Sequence, residues 1–201
     1  MNRRTRWIFL LAILTGVGLV FAGAAVLSGS YQPQGSVVSP PFPLPDFSLT
    51  DQAGRPFHLS DHRGKYLLIF FGYTHCPDVC PATLADVQYI FGELEAHAAQ
   101  VQFIFITVDP ERDSPEIIRN YLAGFNPAFL GLTGSETALA NVYRIFGMTV
   151  QKQPGAGVAG YLVDHATRVN VIDSEGRLIE TFPFGMSRAA MYSDLLYLLD
   201  R

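Results

Sequence analysis

The chain has 201 residues, of which 49% are hydrophobic and 16% are charged, and its formal net charge is −4. This size and apolar content predict one globular domain and an additional apolar segment. The acidic balance, with no basic cluster beyond the N-terminus, argues against nucleic-acid binding. Since the chain has only two cysteines, the domain must fold around its own hydrophobic core and is not a disulfide scaffold.

The N-terminal segment has the composition of a membrane anchor. Residues 7–27 contain no charged side chain, and arginines precede them. About twenty apolar residues span a bilayer as a helix, and arginines before the helix favour a cytoplasmic N-terminus. We therefore predict a cytoplasmic segment at residues 1–6, a transmembrane helix at residues 7–27, and a domain on the periplasmic side of a bacterial inner membrane. A signal peptide cleaved near Ala22–Ala24 is the alternative.

A polar linker is expected between the anchor and the domain. Residues 28–45 are rich in Ser, Gly, Gln and Pro, which is typical of an extended spacer. The domain is then expected at residues 46–201. It begins with two short apolar runs, Asp46–Thr50 and Pro56–Leu59, on either side of a turn-like segment. This pattern predicts a β-hairpin.

Strands and helices are then expected to alternate. Apolar runs predict strands at Tyr66–Gly72, Val101–Val108 and Phe129–Leu132. Apolar stripes and capping residues predict helices at Thr83–His97, from Ser114 to Gly124, and from Ser135 to Phe146. A mobile loop at residues 153–160, a hairpin of Arg168–Asp173 with Leu178–Phe182, and a helix from Ser187 follow. Together these elements predict an α/β fold of thioredoxin type with an N-terminal β-hairpin extension.

The two cysteines stand where a predicted strand leads into a helix. Cys76 and Cys80 are four residues apart, which on a helix places their Cα atoms about 6 Å from each other. This spacing permits a disulfide, an electron relay or a shared soft metal ion. The start of a helix favours anionic sulfur, so both thiols are expected to be acidified and reactive. A static disulfide is the less favoured interpretation, because so short a loop constrains the unfolded chain little.

The surrounding sequence favours copper. Thioredoxin-like oxidoreductases typically place two residues between their cysteines, whereas this chain has three. Such enzymes also place a proline opposite the thiols, but the segment Asp164–Asp173 has none, and His165 stands at that corner. Two thiolates and an imidazole suit copper, whereas structural zinc usually takes four protein ligands. Asp164 is expected either to orient His165 or to be an ordinary turn residue.

Three motifs together resemble the Sco/SenC family. They are Gly72–Pro81, Val108–Asp113 and Tyr161–His165, they occur in the family's order, and the resemblance extends from about Pro45 to the C-terminus. The resemblance implies a membrane-anchored, copper-binding protein of thioredoxin fold. It also implies a role in assembling the binuclear copper centre of cytochrome c oxidase. Within the second motif, Asp113 is expected to cap the following helix.

The resemblance further implies a ligand set and partners. Cys76, Cys80 and His165 would hold one copper ion, as Cu(I) or Cu(II), and the local departure from the family is Ala166, where serine is more usual. The implied function is a copper chaperone for the copper-site subunit of cytochrome c oxidase. Other periplasmic copper carriers or thiol reductants are further expected partners. Two alternatives stay open: a thiol–disulfide oxidoreductase that keeps the oxidase's copper-site cysteines reduced, and a copper or redox sensor.

Overall fold

The structure is a computed structural model that describes residue 2, residues 31–155 and residues 160–201. The predicted transmembrane helix at residues 7–27 therefore lies outside the described residues. Across the part of the chain that is described, no helix combines the length and the apolar character needed to cross a membrane. Contacts divide the chain into Met1–Gln32 and Pro33–Arg201, and all the elements below belong to the second unit.

A mixed eight-stranded sheet forms the centre of this unit. The strands of the described residues are β1 Ser36–Pro43, β2 Ser48–Asp51, β3 Pro56–His58, β4 Tyr66–Gly72, β5 Val101–Thr107, β6 Leu130–Thr133, β7 Gln151–Pro154, β8 Tyr161–Asp164, β9 Val169–Ile172 and β10 Arg177–Phe182. The sheet order is β1-β10-β9-β4-β5-β6-β2-β3, and β7 pairs with β8 in a separate two-stranded sheet. Strands β4, β5 and β6 are parallel to one another, whereas β9 is antiparallel to β4.

Strands β4 and β5 lie in the middle because their sequences are almost entirely apolar. Their residues read YLLIFFG and VQFIFIT, and β-branched and aromatic runs of this kind are typical of parallel strands buried on both faces. Phe103–Ile106 are completely buried. Gly72, the last residue of β4, lies opposite Thr107, the last residue of β5. The loops that follow these two strands therefore emerge side by side at one edge of the sheet.

Four helices flank the strands in the described part of the chain, and three of them begin at the predicted serines. They are α1 Val79–Glu93, α2 Pro115–Ala123, α3 Glu136–Ile145 and α4 Arg188–Leu199. The hydroxyls of Ser114, Ser135 and Ser187 accept hydrogen bonds from backbone N–H groups in the first turns of α2, α3 and α4. Each of these bonds satisfies an N–H that has no partner within its helix.

Helix α1 begins and ends earlier than predicted. It starts at Val79 because Pro81 is tolerated in a first turn, where the missing N–H would have no intrahelical partner. It ends at Glu93, since Glu95 has a φ of 45° that an α-helix does not accept. The residues Glu95–Gln100, predicted in part as helix, form a 3₁₀ segment instead. The early start places Cys80 within the first turn of α1.

The predicted linker at residues 28–45 is wrong over most of its described length. Ser36–Pro43 form the edge strand β1, which is antiparallel to β10 and has an irregular register between Val37 and Phe42. The strand is exposed almost throughout, so it lacks the alternating apolar pattern by which strands are predicted. Its prolines are compatible with an edge strand, where an absent N–H breaks no central ladder.

The predicted mobile loop at residues 153–160 is also wrong at its start. Gln153 and Pro154 belong to β7, which pairs antiparallel with β8, while residues 156–159 lie outside the described part. Strand β7 is polar and exposed along its whole length, so no hydrophobic periodicity marks it. The hairpins β2–β3 and β9–β10, in contrast, were predicted and are confirmed.

Candidate metal centre

Both cysteines lie at the edge of the sheet where β4 ends. Cys76 is in the short loop after Gly72 and is partly buried, whereas Cys80 lies in the first turn of α1 and is completely buried. Both carry free thiols. The backbone N–H of Cys80 points at the Cys76 sulfur, with an N···Sγ distance of 3.5 Å. The structure therefore brings the two predicted sulfur ligands together at a helix N-terminus.

Gly72 makes room for the buried sulfur. A Cβ atom at this position would lie 3.0 Å from Cys80 Sγ, 2.7 Å from the Phe105 ring and 2.9 Å from the Phe70 ring. Side chains do not approach this closely without displacement, because protein interiors are close-packed. Sequence reasoning missed this role of Gly72, and the signal available was a glycine ending an otherwise bulky, apolar strand.

The two thiols have opposite acidities. A hydrogen bond from the Cys80 side chain, followed by backbone N–H groups of Asp78 and Cys80 and by nearby His165, lowers the pKa of Cys76 to about 5 against the effect of burial. The same hydrogen bond and deeper burial raise the pKa of Cys80. The prediction that both thiols are acidified is therefore wrong for Cys80. At neutral pH Cys76 is a thiolate and Cys80 is a protonated thiol that donates to it.

His165 lies immediately after β8 and has a defined tautomer. Its Nδ1 is 2.9 Å from the backbone oxygen of Ala166, and because a carbonyl only accepts, Nδ1 carries the proton. The lone pair of the neutral ring is then on Nε2, the atom that remains able to bind a metal. The ring packs edge-on against Tyr73, with centroids 5.9 Å apart. Since Ala166 contributes its backbone oxygen, the absence of a serine side chain does not affect this bond.

Cys76 and His165 line the same surface cleft. The cleft has a volume of about 240 Å³, and Tyr73, Asp78 and Val163 also contribute to its walls. Over the described residues, no three His, Cys, Asp or Glu side chains are already arranged as a metal site. The structure thus pairs the two cysteines and brings His165 to the cleft of Cys76. The complete three-ligand set stays a prediction.

Asp113 holds the cysteine loop to the sheet. Its buried carboxylate accepts hydrogen bonds from the Thr74 hydroxyl at 2.6 Å, the Thr74 backbone N–H at 3.1 Å and the Thr107 hydroxyl at 2.6 Å. The prediction that Asp113 caps α2 is wrong, because Ser114 occupies the capping position. The Asp164 carboxylate accepts a hydrogen bond from the Gln153 side-chain amide across the β7–β8 hairpin at 2.7 Å.

Comparisons with known proteins agree with this architecture. The sequence model described as SCO1/SenC matches residues 41–200. The mouse mitochondrial SCO2 homolog is 39% identical over 147 residues, which cover 72% of this chain and 57% of the mouse protein. The SCO2-like protein RP587 of Rickettsia prowazekii is 31% identical over 192 residues, 91% of each chain. The chain spans only about half the length of the mammalian relatives it matches.

A solved structure shows the same fold. Copper-bound ScoI of Bradyrhizobium japonicum is 36% identical, with a TM-score of 0.71, and the match covers 78% of this chain and 99% of the ScoI chain. The predicted thioredoxin-like α/β fold is confirmed by this likeness. The family match over most of the chain and the shared fold lead to one conclusion: the chain belongs to the SCO1/SenC family.

Proposed function

We propose that this chain is a membrane-anchored copper chaperone that binds one copper ion through Cys76, Cys80 and His165. It delivers that ion to the binuclear copper centre of cytochrome c oxidase. One observation carries the proposal: Cys76, a thiolate paired with the Cys80 thiol at a helix N-terminus, lines the same cleft as the His165 imidazole, whose Nδ1 is held by the Ala166 carbonyl. The copper in the related ScoI structure supports the same choice of metal.

The chemistry of these groups favours copper as cargo. Thiolates bind Cu(I) strongly, and imidazole is a good ligand for Cu(II), so the set accepts both oxidation states. Cys76 is already ionised near neutral pH, since its pKa is lowered to about 5. Cys80 must release its proton when copper binds, because the metal ligand is the thiolate. Binding therefore exchanges one proton for one metal ion and is reversed by acid.

The anchor and the compartment belong to the same proposal. Residues 7–27 would hold the protein in a bacterial inner membrane, with residues 1–6 in the cytoplasm and the copper site in the periplasm. The composition of residues 7–27 supports this topology. The expected partners are the copper-site subunit of the oxidase, other periplasmic copper carriers and thiol reductants, and we expect no nucleic acid.

A thiol–disulfide oxidoreductase is the second candidate, and the unequal thiols favour it. Ionised, accessible Cys76 would attack a partner disulfide and form a mixed disulfide while one partner sulfur leaves as a thiolate. Buried Cys80 would then lose its proton, attack the Cys76 sulfur and release the partner's second thiolate. The partner disulfide is reduced, and the Cys76–Cys80 dithiol is oxidised to a disulfide. This reaction does not need His165.

Anaerobic copper titration of the reduced full chain separates the two candidates. We expect the unmodified chain to bind one equivalent of copper and, with Cu(II), to show a thiolate-to-copper charge-transfer band. The variant His165→Ala should bind copper less tightly and shift and weaken that band, whereas the control His97→Ala, in the 3₁₀ segment that follows α1, should leave both unchanged. No binding at one equivalent would contradict the chaperone. Oxidase assembly that survives His165→Ala without copper binding would favour the reductase.

A further inference from the structure

The proposed histidine ligand is carried by a hairpin that the main sheet does not hold. Strands β7 and β8 pair only with each other in the described structure, and His165 follows directly after Asp164, the last residue of β8. No backbone ladder therefore fixes the distance between His165 and the cysteines. Side-chain contacts between β8 and the body of the domain must supply that constraint.

A cluster of Asp109, Arg112 and Tyr161 provides such contacts. The Tyr161 hydroxyl donates to Asp109 Oδ1 at 2.8 Å, and Arg112 Nε donates to Asp109 Oδ2. The Arg112 guanidinium lies 3.7 Å from the centroid of the Tyr161 ring, a cation–π arrangement. Its Nη1 also donates to the Tyr161 backbone oxygen at 3.3 Å. Side chain and backbone of the first β8 residue are thus both held.

The cluster is rigidly fixed on the side of the main sheet. Asp109 is completely buried, and its backbone N–H donates to the Thr107 hydroxyl at the end of β5 at 2.9 Å. A buried carboxylate is stable only when it is paired and hydrogen-bonded, so Arg112 and Tyr161 are tied to it strongly. By contrast, the outer pair of Lys152 and Glu111, 2.6 Å apart, is exposed and contributes little to the constraint.

A second link runs from the cluster through the cysteine loop. The Arg112 guanidinium lies 5.7 Å from the centroid of the Tyr73 ring. The Tyr73 hydroxyl accepts the backbone N–H of Val163 at 3.4 Å, and the Tyr73 ring packs edge-on against His165. The same arginine therefore touches both the aromatic ring that precedes Cys76 and the strand that precedes His165.

We propose that Arg112 and Tyr161 are positioning residues that hold β8, and with it His165, at the distance from the cysteines that copper binding requires. Neither residue is a copper ligand. The inference rests on the proposed function, because Arg112 and Tyr161 can affect copper binding only if His165 is a copper ligand. It follows that their loss weakens copper binding only while His165 is present.

A double-mutant cycle on the full chain tests this assignment. Cu(I) affinity is measured by competition with a chromophoric chelator, and the Cu(II) charge-transfer band is recorded in parallel. Tyr161→Phe removes one hydroxyl with little risk to folding, and Arg112→Ala removes the guanidinium; both are also made with His165→Ala. The matched controls are Tyr89→Phe and Arg119→Ala, which alter an exposed tyrosine and an exposed arginine. Circular dichroism checks the fold of each variant.

We expect Tyr161→Phe and Arg112→Ala to lower copper affinity by roughly 10- to 100-fold, the usual effect of losing a group that orients a ligand. Both should also shift the charge-transfer band. With His165→Ala, each should change affinity by no more than about twofold, and the controls should match the unmodified chain. If the single variants bind copper with unchanged affinity, or lose equal affinity with and without His165, the positioning role is overturned while the proposed function stands. An unmodified chain that binds no copper, or binds it independently of His165, would overturn the proposed function with it.

Discussion

Replacing Gly72 by alanine tests how tightly the sheet edge is packed around the buried thiol. The new Cβ would meet Phe105, Phe70 and Cys80 Sγ at 2.7, 2.9 and 3.0 Å. All three partners belong to the core, and neither ring is the loose end of a flexible side chain. Overpacking of this kind costs about 1–3 kcal/mol. We therefore expect Gly72→Ala to lower the free energy of unfolding by about 2 kcal/mol and to displace Cys80 from its place beside Cys76.

The same chain supplies a matched control for this prediction. Gly92 is the next-to-last residue of α1, and a Cβ there meets no atom within 4 Å apart from the helix's own backbone. Gly92→Ala should leave the free energy of unfolding unchanged or raise it by up to about 1 kcal/mol, since alanine is the better helix former. Urea unfolding measures both changes, and copper titration reports the displacement of the thiol. A Gly72→Ala variant as stable as the unmodified chain, with unchanged copper binding, would refute the packing argument.

Three further predictions follow from ionisable groups. Alkylation of Cys76 by iodoacetamide should rise with pH through a midpoint near 5, because its pKa is lowered to about 5, while Cys80 should react much more slowly. Burial and the neighbouring Asp194 raise the pKa of Glu180 from 4.5 to about 8. The folded state then binds more protons than the unfolded state between these values, so stability should fall as pH rises from 4.5 to 8, by no more than about 5 kcal/mol. Asp113→Ala should cost about 2–4 kcal/mol in urea unfolding, since three hydrogen bonds to a buried carboxylate are lost.

Each of these has a clear opposing result. An alkylation midpoint near the ordinary thiol value of about 8.5 would show that the Cys80 hydrogen bond does not stabilise the Cys76 thiolate. Glu180→Gln should flatten the pH dependence of stability in that window, and an unchanged slope would assign the dependence to another group. A conservative Asp113→Asn variant keeps part of the hydrogen bonding, so its free energy of unfolding should lie between those of the unmodified chain and Asp113→Ala. Equal stability of these three proteins would show that Asp113 does not anchor the cysteine loop.

Much of the fold could be predicted because the central elements have strong local signals. Strands β4 and β5 are continuous apolar runs, and Ser114, Ser135 and Ser187 mark helix starts by a hydrogen bond within four residues. The edge strands β1 and β7 have no such signal. Their side chains face solvent, and only backbone pairing defines them as strands, with the distant β10 for β1 and with the neighbouring β8 for β7.

The candidate site, like the fold, has features that could be predicted from the sequence and features that could not. Cys76, Cys80 and His165 were predicted from residue type and spacing. The opposite acidities of the two thiols could not be predicted, because they depend on the hydrogen bond between the two side chains and on how deeply each sulfur is buried. The roles of Gly72 and Asp113 were likewise hidden, since both act on groups brought near only by folding.

X-ray absorption at the copper edge tests the central claim most directly. The copper-loaded full chain should show two sulfur neighbours and at least one nitrogen neighbour of the metal. His165→Ala should keep both sulfurs and lose the imidazole contribution, whereas His97→Ala should leave the spectrum unchanged. A copper ion without sulfur neighbours, or a spectrum indifferent to His165→Ala, would contradict a site built from Cys76, Cys80 and His165.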